Sequence, residues 1–212
     1  MLAVLDRDHP GARIRLGADA LGELDRWPDL RVLLVPDEAA RQGCSVAGGY
    51  RHATRPPTLL VAASTSRRRR AFTALHELGH HLQRNDVALA LRTVDRRDGE
   101  AVEEAACDAF AGRILLPGQL VERHIGPRGP AALDVVALYN ESGASRAACC
   151  VRAAERLSGL GAVLLLEPTG LVRFAASHGL VPPARGSDQS GTPLLRAALG
   201  HSGRATMDTV VH

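Results

Sequence analysis

His76-Glu77-Leu78-Gly79-His80 lies within the longer run Phe72-Thr73-Ala74-Leu75-His76-Glu77-Leu78-Gly79-His80-His81. Around it Ala71, Phe72, Leu75, Leu78 and Leu82 recur at helical spacing, so a helix with an apolar stripe is expected. Such a helix puts His76 and His80 one turn apart on one face, with their imidazoles converging. Two neutral imidazoles at i and i+4 suit Zn²⁺, and Glu77 lies beside them, within reach of a water held there. A metal lowers the pKa of such a water to about 7, so a carboxylate can take its proton at neutral pH. With nine histidines in the chain, a chance HExxH arises in roughly 0.02 chains of this composition, so context must support the motif.

The context is a second amphipathic stretch, Glu103 to Pro117, which the proline stops. An open catalytic zinc site takes three protein ligands and keeps one position free. Glu104 and Asp108 stand at i and i+4, so both can face the first helix. Glu104 is assigned as the third ligand. Asp108 is the expected acceptor that orients a ligand histidine through its other ring nitrogen. Glu103 points about 100° away on a helix and is the fallback ligand.

These residues resemble the ImmA/IrrE family of metallo-endopeptidases. The family pattern is HExxH followed by E-x-x-A-x-x-F-A-x-x-L-L-M-P; here it runs from His76 through Glu104 and Phe110 to Pro117. The match is specific over about residues 58–117 and looser from about 30 to 157. Cys107 replaces the usual alanine and Ile114-Leu115-Leu116 replaces Leu-Leu-Met, neither at a proposed ligand. The resemblance implies a cytoplasmic, narrowly specific endopeptidase with one zinc per chain, manganese being the alternative metal. It further implies that the substrate is a helix-turn-helix repressor, whose cleavage switches on stress or mobile-element genes.

At 212 residues the chain can hold one domain with a real core or one plus a small appendage. Apolar residues make up 45% and aromatics 3%, so the core is built from Leu, Val and Ala. The formal charge of +3 is too small to demand a nucleic-acid partner. Asp6, Arg7 and Asp8 interrupt the apolar start, so no signal-peptide core is expected. No apolar run approaches a membrane span. Cys44, Cys107, Cys149 and Cys150 show no paired metal spacing, which fits free thiols in a reducing cytosol. Cys107 reads as a small buried hydrophobe, and Cys44 is a candidate, less favoured, for an inhibitory thiolate on the zinc.

Residues 1–30 read as mostly helix. Arg31–Val35 and Thr58–Ala62 read as short buried strands, with turns at Gly48-Gly49 and Pro56-Pro57 around a third strand near Tyr50. A small sheet followed by the HExxH helix fits a zincin-like (gluzincin) α+β domain, in which an edge strand holds the substrate extended. Ser66 or Ser64 is the expected N-cap of that helix. Arg67 to Arg70 then read as a solvated helix start rather than a docking face, since consecutive helical residues fan around the axis.

Residues 86–99 read as a polar connection. After a loop at Pro127, Gly129 and Pro130, residues 133–139 and 145–157 suggest a helix-turn-helix-like pair. Small apolar side chains at 147–151 suit packing better than base reading, and the charge is thin for a phosphate footprint, so direct DNA binding is not expected. Glu167-Pro168-Thr169-Gly170 is a type I turn between two apolar runs, a β-hairpin. Beyond it, 185–191 read as exposed loop and 193–199 as a short helix. His124, His178, His201 and His212 have no metal-ligand spacing to the motif. The resulting division is a metallopeptidase domain at 1–157, including a helical module at 118–157, and a small hairpin and tail region at 158–212. Tyr50, His81 and Tyr139 are unranked candidates for a second oxyanion donor. The rival readings are a DNA-binding regulator that keeps a zinc site and a non-catalytic interaction module; an intact Glu77 argues against the latter.

Overall fold

The computed structural model describes residues 1–36, 48–63, 66–94, 98–193 and 195–196. Cys44, Ser64, His201, His212 and most of the helix expected at 193–199 lie outside the described residues. Within them the fold is mixed α and β, with two small sheets and helices around them. The chain falls into two units: Met1–Gly118 with Ser142–Ser145, and Gln119–Glu141 with Arg146 onward.

The first unit begins with three short helices, α1 (Leu2–Asp8), α2 (Ala12–Ala18) and α3 (Ala20–Leu24). Asp19 is extended and its side chain accepts a hydrogen bond from the Gly22 amide, capping α3. Buried Glu23 ties α2 to α3. Burial opposes its charge, but hydrogen bonds from Arg15 and the Trp27 indole, with the Arg15 and Arg26 charges, hold its carboxyl below the usual range.

Next come β1 (Arg31–Val35), β2 (Gly48–Arg51) and β3 (Thr58–Ala62), in the spatial order β1-β3-β2. β3 pairs in parallel with β1, Arg31 opposite Thr58, and antiparallel with β2, Gly48 opposite Val61 and Tyr50 opposite Leu59. β3 is buried along its whole length, as expected of a central strand. β1 is not the buried strand its apolar run suggests. It lies at the sheet edge with Leu33 and Leu34 exposed, because only β3 flanks it. The two glycines read as a turn, Gly48 and Gly49, are instead the first residues of β2.

The HExxH helix is α4 (Arg67–Asn85), and Ser66 caps it by accepting from the Arg69 amide. Every residue from Thr73 to Gln83 is buried, because β2 and β3 contact the helix, as do α3, α5 (Val87–Val94) and α6 (Gly99–Leu115). The start of α4 is less solvated than expected: Arg68 donates to the Ala144 carbonyl at 2.7 Å and Arg70 to the Ala63 carbonyl at 3.0 Å. Those two arginines tie backbone together, while Arg67 and Arg69 stay exposed. Helix α5 falls in the stretch read as a polar connection. Asp86 starts it by accepting from the Leu89 amide, and its Val87 and Leu91 are exposed. Helix α6 runs to Leu115, just before Pro117, and packs along α4.

The second unit carries α7 (Gly118–His124), α8 (Ala132–Glu141), α9 (Arg146–Ala154), β4 (Gly161–Leu166) and β5 (Val172–His178). β4 and β5 pair antiparallel, and α9 packs on both and on α8. Gly170, with φ of 91°, closes the intervening turn by donating its amide to the Glu167 carbonyl. Residues 186–189 fold back on the strand side of this turn: the Val172 amide donates to Ser187 and the Gln189 amide to Gly170. The guanidinium of Arg146 lies 5.2 Å from the Tyr139 ring centre, and Arg152 pairs with Glu155. No helix among the described residues is long and apolar enough to cross a membrane.

Candidate metal centre

His76 and His80 project from one face of α4, only 5% and 6% exposed. Buried imidazoles need partners for both ring nitrogens. The Nδ1 partners are carboxylates: Asp108 Oδ1 lies 2.8 Å from His76 Nδ1, and Glu103 Oε1 lies 2.8 Å from His80 Nδ1. With each Nδ1–H donated to a carboxylate, both Nε2 atoms present lone pairs. These face one another at 3.2 Å. Glu104 closes the triangle, Oε2 at 3.2 Å from His76 Nε2 and Oε1 at 3.3 Å from His80 Nε2.

All the atoms turned inward are acceptors, so the arrangement calls for a cation. Its size fits one: donors about 2.0–2.1 Å from a common tetrahedral ion lie roughly 3.3 Å apart. His76, His80 and Glu104 are thus a group able to hold a metal ion. The field agrees with that. Burial lowers the pKa of His76, but the Asp108 hydrogen bond and the charges of Glu77, Asp108 and Glu104 outweigh it and hold the value above the usual histidine range.

Glu77 is fully buried and faces the sheet. A Cβ built on Gly48 would lie 2.7 Å from Glu77 Oε1 and overlap the Thr73 methyl, so β2 approaches the carboxylate closely only because residue 48 has no side chain. Gly79 serves the other side, since a Cβ there would meet Cys107 Sγ at 2.9 Å. The missing methyl lets α6 close on α4 and bring Glu104 to the histidines.

Over residues 44–153, just over half the chain, the sequence matches the model of peptidase family M78, the IrrE N-terminal-like domain. The chain belongs to the ImmA/IrrE metallopeptidase family. No curated protein matches it. The matched span of this metallopeptidase contains every residue of the centre, from Gly48 on β2 to Asp108 on α6.

The structure brings His76, His80 and Glu104 together, and Asp108 lies on Nδ1 of His76. Glu103, the fallback ligand, instead lies on the far nitrogen of His80. Helical spacing alone does not reveal this, because it depends on α6 running antiparallel to α4, which sets the acid before Glu104 beside the second histidine. Gly48 was also missed; the one signal was a glycine pair shortly before an apolar strand. Of the oxyanion candidates, the Tyr50 hydroxyl lies 3.0 Å from His81 Nδ1, and Asn85 Nδ2 lies 3.2 Å from the same atom. Burial chiefly, helped by His9, pulls His81 below the usual histidine range. Tyr139 belongs to the second unit. Cys107 is buried against Gly79, as a small hydrophobe would be.

Proposed function

We propose that the protein is a zinc-dependent endopeptidase that cuts a specific bond in a protein substrate. The observation that carries this reading is the triangle of His76 Nε2, His80 Nε2 and the Glu104 carboxylate, with sides of 3.2–3.3 Å. These three residues would hold one zinc, with manganese as the alternative, while Asp108 and Glu103 keep both imidazoles in the Nδ1–H tautomer. When bound, the ion supplies a Lewis acid that polarises the scissile carbonyl and makes a water acidic near neutral pH. Glu77 takes the proton of the attacking water at its carboxylate, holds it, and delivers it to the leaving amide nitrogen.

The substrate lies extended along the outer edge of β2, which passes Glu77 at Gly48 and pairs with no further strand among the described residues. The helix-turn-helix-like pair within 118–157 serves the enzyme rather than reading DNA. Family membership supports a helix-turn-helix repressor as the substrate and the cytoplasm as the setting, so that cleavage turns on stress or mobile-element genes. N-terminal proteomics of cells expressing the wild type or Glu77→Gln tests this. A new N-terminus inside a DNA-binding repressor, seen with the wild type alone, is expected; identical N-termini in both would end the reading.

Two further outcomes follow from the geometry. Gly48→Ala forces a methyl against Glu77 and Thr73 and shifts the carboxylate or the strand. An error of about 1 Å in placement can cost on the order of 10²-fold, so kcat is expected to fall by about that factor. Metal content stays at the wild-type level because no ligand is touched, and parallel metal analysis and cleavage assays separate the two effects. Glu103→Ala leaves His80 Nδ1–H without its acceptor and is expected to weaken zinc binding about 10–100-fold. Competition against a chromophoric chelator measures this, and Glu103→Gln, which still offers an acceptor oxygen, should recover part of the loss.

A further inference from the structure

Beyond Gly48, β2 and α4 travel side by side. Gly48 lies against Thr73 and Glu77, and two residues on Tyr50 lies against His81 and Asn85, one and two turns further along the helix. At this far end a cleft of about 580 Å³ is lined by Tyr50, His52, Arg55, Arg84 and Asn85, with Pro57 and Ala90 as its apolar wall. The polar lining is two guanidiniums, an imidazole, a carboxamide and a phenol, with no carboxylate among them.

Among the described residues the two arginines are not spent on ion pairs. Neither has a carboxylate partner among the described residues. Arg55 is instead pinned in its turn, Nη1 donating to the His52 and Thr54 carbonyls at 3.2 and 3.1 Å. That leaves its charge fixed in place without neutralising it. Arg84 stands exposed near the end of α4, where a cation also suits the helix dipole. Both charges reach the Tyr50 hydroxyl: burial lifts that phenol above its usual range, while the Asn85 hydrogen bond and the charges of Arg84 and Arg55 pull the other way. Two unneutralised cations that converge on one cleft select an anion.

We propose that this cleft is a subsite for an acidic side chain, Asp or Glu, of the extended substrate. The proposal rests on the peptidase reading above, with the chain lying along β2. At about 3.3 Å per strand residue, the distance from Gly48 to the cleft places that acid about two to four residues from the bond cut at Glu77. The backbone of β2 holds any extended chain without regard to sequence; the arginine pair would add a choice, and so narrow what the enzyme cuts.

The test uses fluorescein-labelled dodecapeptides in matched Glu and Gln pairs, the acid scanned along the peptide. They are titrated by fluorescence polarisation into zinc-loaded Glu77→Gln protein, which binds without cutting. At one position within the stated distance the Glu peptide should bind about five-fold or more tighter than its Gln twin, and the preference should shrink as salt rises. Arg84→Gln, which loses no side-chain hydrogen bond within the described residues, should reduce the ratio to near one. The double variant Arg55→Gln/Arg84→Gln should abolish it. The proposal is overturned if no position prefers Glu, if no peptide binds, or if the preference survives both variants. Metal content of the same samples reports separately on the zinc reading, and binding needs no turnover, so the two failures stay distinct.

Discussion

Glu77→Gln is expected to lower kcat by about 10²–10⁴, the range that a positioned general base contributes, while zinc content stays near that of the wild type. The two halves of this result come from different atoms. The candidate metal ligands are His76 Nε2, His80 Nε2 and the Glu104 carboxylate, and the amide at position 77 leaves all three where they are. The substitution is nearly isosteric at a fully buried site, so neither a cavity nor an overlap is created, and α4 keeps its packing. What is lost is the group proposed to accept and return a proton, since a carboxamide has no basicity at neutral pH. Single-turnover cleavage with metal analysis of the same preparation would show it. A Glu77→Gln protein that cuts within two-fold of wild type would move the base elsewhere. Loss of metal in this variant would instead make Glu77 part of the metal shell.

How much of this was legible in the sequence depends on what each feature rests on. The pair His76 and His80, and the pair Glu104 and Asp108, need only the pitch of a helix, four residues to a little more than one turn. Spacing alone therefore puts the two histidines on one face and Glu104 with Asp108 on another, while it leaves Glu103 open as the ligand and does not say which histidine Asp108 meets. Glu103 needs the direction in which one helix crosses another, and no local pattern carries that. Gly79 belongs to the same class: its place in the motif was plain, but its work is to let Cys107 come within van der Waals reach. Both strands are legible, and the burial of Thr58–Ala62 with them, but the exposure of Arg31–Val35 is not. Arg31–Val35 and Thr58–Ala62 are both short apolar runs, and only the strand order β1-β3-β2 tells the edge from the centre. The cleft at Arg55 and Arg84 joins residues about thirty positions apart through the pairing of β2 beside α4, which makes it a property of tertiary structure alone.

The coupling between metal and stability gives the centre its sign. Without an ion, Glu77, Glu103, Glu104 and Asp108 crowd negative charge around two buried imidazoles, a repulsive arrangement that the positive ion relieves. A ligand that binds only the folded state stabilises it by about 2.7 kcal/mol when present at a hundred times its Kd. Wild-type protein should therefore melt several degrees lower after chelation.

Glu104→Ala should behave differently in both states. With one donor of three removed, zinc is expected to be lost on dialysis and activity to fall to background, a larger effect than the about 10–100-fold in affinity expected for an orienting acid such as Glu103. Its melting temperature should then be indifferent to chelator. Compared without metal, however, Glu104→Ala should be at least as stable as the wild type, because a partly exposed carboxylate has left the crowded cluster. The variant's defect thus appears only where zinc is present. Calorimetry of the two proteins with and without chelator measures all four states. If Glu104→Ala retains zinc and still loses stability on chelation, the third ligand is another acid on α6, and Glu103, already 2.8 Å from His80, is the first to test.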